Sequence, residues 1–493
     1  MGLDSILGYL QNKTILITGA TGFLGMVFVE KILRVQPNVK KLYLLVRASD
    51  TKSATHRMHD EVIGKELFRV LKQKWGTDFD SFISEKVVAL PGDVTIENLG
   101  VGEPRLMEEL CSEIQIIFNS AATTNFDERY DISLAVNTFG TLRVLNFAKK
   151  CLKLQMLLHV STAYVCGERA GLIPEDSSSM DKMIKEMDNI DFETVEKNLV
   201  KEKLNELKGQ DASEKVVTNT MKDFGIKRAR LYGWPNTYVF TKAMGEIFMQ
   251  RSKDNLPLVI VRPTIVTSTC EEPFPGWIQG FRTIDSVIAG YCKGKLTCLL
   301  VDPATVLDMI PVDMLVNSII VAMVVNSNQS SGNIIYQVGS SSRNPLNFFQ
   351  MHEFIFQYFT KNPWVNKDGE PVIVTKGTIL TTMATFRMYM NIRYMLPLKG
   401  LKFVNKAFGQ YFQDIYVNYS RKLDLVMRLV ELYEPYMLFK GIFDVANTEK
   451  LWRTARESFI DVESFNFDAT CIEWEDYIMH AHIPGLLKHV LIK

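Results

Sequence analysis

Short, unbroken apolar runs ending in glycine or polar turns dominate the first third of the chain. Thr14-Ile-Leu-Ile17, Lys41-Leu-Tyr-Leu-Leu-Val46, Lys86 to Leu90, Ile114 to Asn119, Gln155 to Ser161 and Leu258 to Val261 have strand length and little polar alternation. Helical patterns lie between them, the first from Phe23 to Val35. Strands apolar on both faces that alternate with helices predict an α/β fold, a doubly wound parallel sheet of Rossmann type covered on both sides. The pattern runs from residue 14 to about 160 and resumes from Thr241 to about Gly339.

Two stretches depart from it. From about 171 to 230 the chain is polar and largely helical, with a charged run from Lys182 to Lys208, which predicts an insertion outside the sheet, a candidate lid. Beyond Trp364 it becomes helical and rich in Met, Tyr, Phe and Arg. The predicted division is therefore 10–365, carrying the insertion, and a mainly helical 366–493. Leu315 to Asn326 is apolar but has the length of a buried core helix, and no window reaches the 18 or so uncharged apolar residues of a spanning segment. Leu398 to Phe412 places Leu401, Val404, Phe408 and Tyr411 on one helical face and Lys399, Lys402 and Lys406 on the other. It reads either as a membrane-interface helix or as a helix packed on the rest with a solvated basic face.

Composition narrows the classes. With 47% hydrophobic and 23% charged residues the chain can bury a large core. Fifty-six basic residues against 56 acidic ones give no general attraction to nucleic acid. Seven scattered cysteines speak for a reducing, cytosol-facing compartment, and no close His/Cys spacing suggests a metal site. Met1 to Lys13, with Asp4, is too short and too acidic for a signal or plastid transit peptide, so none is expected.

The chemistry is concentrated in a few motifs. Thr18-Gly-Ala-Thr-Gly-Phe-Leu-Gly25 follows the first strand and opens a helix. Gly19 serves the tight turn, Gly22 the approach of a pyrophosphate and Gly25 close helix packing. The free N–H groups of the helix start attract the anion, with Thr18, Thr21, Phe23 and Leu24 completing the loop. Arg47 ends the second strand where an acidic residue would select NAD. Its guanidinium suits a 2′-phosphate, so NADPH is the expected cofactor. Asp93, beside Val94, can accept from the adenine amino group or cap a helix.

Tyr238 and Lys242 stand four apart on one helical face, where a cation is expected to lower the phenol pKa and ready it for proton transfer. Thr162, in Ser161-Thr-Ala-Tyr-Val-Cys-Gly167, can hold a carbonyl oxygen, and Ser161 competes for that role. Asn137 either orders a water that re-protonates Lys242 or makes a local bond.

The order of these motifs resembles the extended short-chain dehydrogenase/reductase family. Gly233-Trp-Pro-Asn-Thr-Tyr-Val-Phe-Thr-Lys-Ala243, Arg262-Pro-Thr264, Glu272-Pro-Phe-Pro-Gly-Trp277, Tyr433-Glu-Pro-Tyr436 and Gly441-Ile-Phe-Asp444 narrow it to the alcohol-forming fatty acyl-CoA reductases of plant type, with a C-terminal sterile domain. The resemblance implies NADPH-dependent reduction of long-chain acyl-CoA through an aldehyde to a primary alcohol, of the kind used in wax, cuticle or suberin. Pro263 is then a further cofactor contact, and the expected location is peripheral, on the cytosolic face of the endoplasmic reticulum. The alternatives are an aldehyde-forming reductase, a sugar-nucleotide epimerase, which Arg47 disfavours, or a non-catalytic dinucleotide sensor. An apolar tunnel between the resumed α/β region and residues 354–443, with Phe354, Tyr358, Met383, Phe386 and Met390, is expected to set chain length.

Overall fold

The computed structural model describes residues 5–180, 185, 191–327 and 333–492. Its centre is a seven-stranded, wholly parallel sheet. In chain order the strands are β1 (Thr14–Thr18), β2 (Lys41–Val46), β3 (Val87–Pro91), β4 (Ile116–Asn119), β5 (Met156–Val160), β6 (Leu258–Pro263) and β7 (Asn333–Val338). Their spatial order is β7-β6-β5-β4-β1-β2-β3. The order reverses between β1 and β4, which opens a crevice at the carboxyl ends of those two strands. Both faces are buried, and the sequence shows why: Ile15 and Ile17 belong to one core while Leu16, between them, belongs to the other.

The helices that matter for the site are α1 (Phe23–Val35), α2 (Phe192–Gly209), α3 (Glu214–Leu231), α4 (Thr237–Ser252), α5 (Thr283–Cys292), α6 (Val312–Val325), α7 (Met383–Met390), α8 (Leu396–Ala407) and α9 (Gln413–Met437). Apolar α6 is a core helix, buried from Val312 to Val324. The insertion lies outside the sheet, and α2 and α3 form a layer on α4, where Phe192, Met221 and Ala229 meet Val239, Phe240 and Ala243. Tyr130 pins that layer by donating to Glu196 Oε2 at 2.7 Å, and Arg228 pairs with the same carboxylate. Part of the charged run, residues 182–184 and 186–190, lies outside the described residues.

Across the division expected near residue 365, Leu451, Phe465, Trp474 and Tyr477 join the same core as α6 and β1, and Gly441–Phe443 pairs in parallel with Gly171–Ile173. Two expectations are corrected. The helix expected from Leu398 to Phe412 stops at Ala407, because the chain reverses at Gly409 and Gln410, with φ of 62° and 68°. Phe354 and Tyr358 pack against the main core instead of lining a tunnel.

Candidate active site

The glycine loop folds as its residue types require. Gly19 has φ +73°, and a Cβ there would lie 2.7 Å from the backbone nitrogen of Ala121. A Cβ on Gly25 would stand 2.3 Å from the Gly19 carbonyl, so only glycine lets α1 start this close to the turn. Gly22 is the N-cap of α1, is exposed and supplies no capping side chain, so the first N–H groups of the helix face the crevice. Thr18 is buried, and its hydroxyl donates to Asn119 Oδ1 at 2.7 Å. Thr21 and Leu24 are half-buried. Phe23 stacks on Trp277, with centroids 5.5 Å apart, and the Arg282 guanidinium lies 3.9 Å from its ring centroid. Arg282 therefore adds a cation beside the helix start, a contribution not foreseen from the sequence. Burial pulls its pKa down to about 10, against the opposing pull of Asp285.

Arg47 is exposed just beyond β2, its carbonyl accepting from Arg57 at 2.5 Å. Asp93 accepts from Thr95 N at 2.8 Å and so caps a turn, while Val94 is buried against Gly140. The loop, the open helix start and these cations fit a dinucleotide.

Tyr238 and Lys242 lie in the first half of α4. Asn236 caps this helix through Val239 N at 3.2 Å. Gly245 presses it onto the π-helical turn Leu134–Gly140, where a Cβ would be 2.3 Å from the Asn137 carbonyl. Buried Glu246, one turn after Lys242, pairs with Arg262 of β6, whose guanidinium also donates to Asp176 O at 2.7 Å. Lys242 Nζ donates to Val160 O at 2.7 Å.

Burial lowers the Lys242 pKa to about 8, against the opposing pull of Glu246. Burial pushes Tyr238 up to about 12, with a hydrogen bond to Thr162 acting the other way. The lowering expected from Lys242 is not what acts on the phenol: desolvation dominates, and the opposing pull comes from Thr162. The phenol stays protonated, which is the form a proton donor needs.

The two adjacent hydroxyls separate cleanly. Thr162 reaches Tyr238 and also donates to Pro263 O at 3.5 Å. The Ser161 hydroxyl is buried and meets no partner among the described residues. Asn137 bonds Thr123 at both its N–H and its C=O, each at 3.0 Å, and Thr241 Oγ1 at 3.1 Å. None of these bonds goes to Lys242; they fasten the loop that carries Phe126. Beneath the site, Asn119 Nδ2 donates to His159 Nδ1 at 3.0 Å, continuing the row from Thr18. Burial, then the nearby Lys242 charge, holds His159 neutral, its pKa well below the usual imidazole range.

The C-terminal segment completes the site. Phe126 stacks on Tyr238 at 5.7 Å and meets Tyr433 and Tyr436 of α9 at 5.3 and 5.0 Å. Tyr436 accepts from Asn236 Nδ2 at 2.7 Å. Asp127, next to Phe126, pairs with Arg428 of α9 at 2.6 Å and Lys222 of α3 at 3.3 Å. Beyond Tyr433 opens a mainly apolar cavity of about 820 Å³, walled by Leu300, Phe386, Met390, Leu423 and Val430. It lies between the resumed α/β region and the C-terminal helices. Of the five residues expected in a tunnel there, Phe386 and Met390 line it.

Two family models, both described as male sterility protein, match residues 17–319 and 393–493. The first is an NAD-binding model, so the glycine loop belongs to a nicotinamide-dinucleotide site. Over 485 residues the chain is 54% identical to fatty acyl-CoA reductase 1 of Arabidopsis thaliana, covering 98% of each. Over 490 residues it is 51% identical to the alcohol-forming fatty acyl-CoA reductase of Simmondsia chinensis, covering 99% of each. Among solved structures, the terminal R domain from the myxalamid PKS-NRPS biosynthetic pathway superposes with a TM-score of 0.57, covering 97% of this chain and 91% of that one. At 17% identity that likeness shows the fold alone. With a dinucleotide loop, a Thr-Tyr-Lys cluster and an apolar cavity in one molecule, and relatives matched from end to end, the chain belongs to the fatty acyl-CoA reductase family, the male sterility proteins.

Proposed function

We propose that this protein reduces long-chain acyl-CoA thioesters to primary alcohols, with NADPH as reductant. The observation that carries the reading is contiguity: the apolar cavity ends at Tyr433, Tyr433 meets Phe126, and Phe126 stacks on Tyr238. An acyl chain lying in the cavity brings its carbonyl to the Thr162–Tyr238 pair. When bound, the reduced nicotinamide supplies a hydride to the carbonyl carbon in each of two rounds. Tyr238, kept neutral by burial, gives its proton to the carbonyl oxygen, and Thr162 holds that oxygen in place. Lys242 steadies the phenolate as the proton leaves. In the first round the hemithioacetal expels CoA as its thiol and leaves the aldehyde. In the second the aldehyde takes hydride and proton to become the alcohol. Arg47 at the end of β2 supports the choice of NADPH through a 2′-phosphate contact.

The decisive measurement is stoichiometry. Two NADPH oxidised per CoA thiol released, with alcohol as product, is the expected result. One NADPH per thiol, with aldehyde accumulating, would favour the aldehyde-forming alternative. We further infer a peripheral position on the cytosolic face of the endoplasmic reticulum. It is supported by exposed apolar side chains on α8 and α9, while no helix among the described residues is long and apolar enough to cross a membrane. Alkaline carbonate should release the protein from that membrane, and retention after the wash would contradict a peripheral position.

A further inference from the structure

The hairpin of α8 and α9 carries its apolar residues on the outside. At its tip Phe403, Phe408 and Tyr411 are 76%, 66% and 82% exposed, and Ile415 follows them on α9, also exposed. Single exposed apolar side chains are ordinary, but a group of large ones on one projection marks an interaction surface. The tip is also a built structure. Asn405, itself buried, accepts from Gln410 N with its carbonyl and from Phe412 N with Oδ1, both at 2.8 Å. Its Nδ2 donates to Gln413 Oε1 at 2.7 Å. These bonds close the reversal at Gly409 and Gln410 and hold Phe408 and Tyr411 outward.

Charge identifies the occupant. Residues 391–426 contain six basic side chains, Arg393, Lys399, Lys402, Lys406, Arg421 and Lys422, against Asp414 and Asp424, in a chain whose total charges balance. An apolar tip flanked by cations on long stems matches the acyl layer and the phosphate layer of a bilayer together. The cavity opens on the same hairpin. Arg393, Pro397, Tyr419, Lys422 and Val426 both line it and are exposed, whereas Leu300, Phe386 and Met390 across from them are buried.

We propose that the α8–α9 hairpin rests in the interfacial layer of an anionic bilayer and passes the acyl chain from that layer directly into the cavity. The proposal rests on the reading of the cavity as the acyl site. A chain taking this route stays covered by apolar surface, whereas one that crossed water would be hydrated along its whole length.

The test uses the full chain with Phe403→Ser, Phe408→Ser and Tyr411→Ser combined, all exposed and outside the cavity wall, its melting compared with the parent. Flotation is measured on vesicles of phosphatidylcholine alone and with added phosphatidylserine. The parent is expected to float more strongly with the anionic vesicles, and the variant to lose about tenfold or more of that binding. The kcat/KM for a long-chain acyl-CoA embedded in vesicles should fall by a similar factor. The kcat/KM for a short acyl-CoA dissolved in buffer should equal that of the parent.

Unchanged flotation would overturn the proposal, as would lost flotation with full turnover of the vesicle-borne substrate. A parent dimer in ultracentrifugation that the variant dissociates would assign the surface to a second copy and also overturn it. If the parent fails to reduce any dissolved acyl-CoA, the acyl-CoA reading falls, whatever the vesicles show.

Discussion

Ser161 and Thr162 are neighbours with different surroundings, and the difference is testable. Of the two, Thr162 is the one whose hydroxyl bonds the Tyr238 phenol. Thr162→Ala is therefore expected to cost about 10²-fold in kcat, the scale of one lost oxyanion donor, and Ser161→Ala only a few-fold. Tyr238→Phe should melt near the parent temperature and lose about 10²–10⁴-fold in both reductions; activity within a few-fold of the parent would remove the phenol from the mechanism. On the proposed mechanism Lys242 governs the pH dependence. With its pKa held near 8 it is an ammonium below that value and a neutral amine above it. Stabilisation of the forming phenolate is then lost on the alkaline side. The expected profile of kcat falls as pH rises through 8, and a flat profile between about 6 and 10 would contradict the role. Arg47→Asp should lower the ratio of kcat/KM for NADPH over NADH, and an unchanged ratio would mean that Arg47 does not read the 2′-phosphate. The glycines, Thr162, Tyr238 and Lys242 could be put forward from the sequence because a turn, a strand end and a helix face are local. Phe126, Asn236, His159 and Tyr436 were not, because their meaning comes from contacts made across the fold. Asn236 and Tyr436, for example, meet 200 positions apart.

On the proposed reading, elements divide the work between chemistry and length selection. Turns and helices near the sheet carry the polar groups, while α7, α8 and α9 with the strand Cys298–Leu300 wall the cavity. Each buried methylene contributes about 0.8 kcal/mol, so two carbons amount to roughly fifteen-fold in selectivity. Leu423→Trp, which fills the cavity without touching Tyr238, should shift products toward shorter alcohols, with shoulders rather than a sharp cut. Gas chromatography of the alcohols would show this, and an unchanged distribution at full turnover would place the acyl chain elsewhere. Six of the seven sheet strands were legible within a residue or two because parallel strands buried on both faces read as continuous apolar runs, while β7 was not singled out. The pairing of Gly171–Ile173 with Gly441–Phe443 was not, since three residues carry no periodicity and the partner lies in a segment of different composition. The end of α8 was misjudged for a related reason: the apolar spacing runs on past Ala407 while the backbone reverses.

At the scale of the whole molecule, the reductase and C-terminal regions share one core. The C-terminal segment supplies Leu451, Phe465, Trp474 and Tyr477 to the core shared with α6 and β1. It also places Tyr433 and Tyr436 over the Tyr238 side of the crevice and sends Arg428 to Asp127 and Asp223. A change of composition near residue 365 marks the expected division, while composition reports solvent exposure and helix content and does not say which residues share a core. Removing the C-terminal residues would strip apolar partners from α6, a mainly apolar helix buried from Val312 to Val324 that needs cover on every side. The two regions should therefore unfold together. Denaturant titration followed by the intrinsic tryptophan signal, which includes Trp452 and Trp474, and by binding of the dinucleotide should give coincident midpoints and a single transition. Two separated transitions, with dinucleotide binding surviving the first, would show an independently stable reductase unit. In that case the contacts of α9 with Phe126 would be a docking interface between domains rather than part of one core.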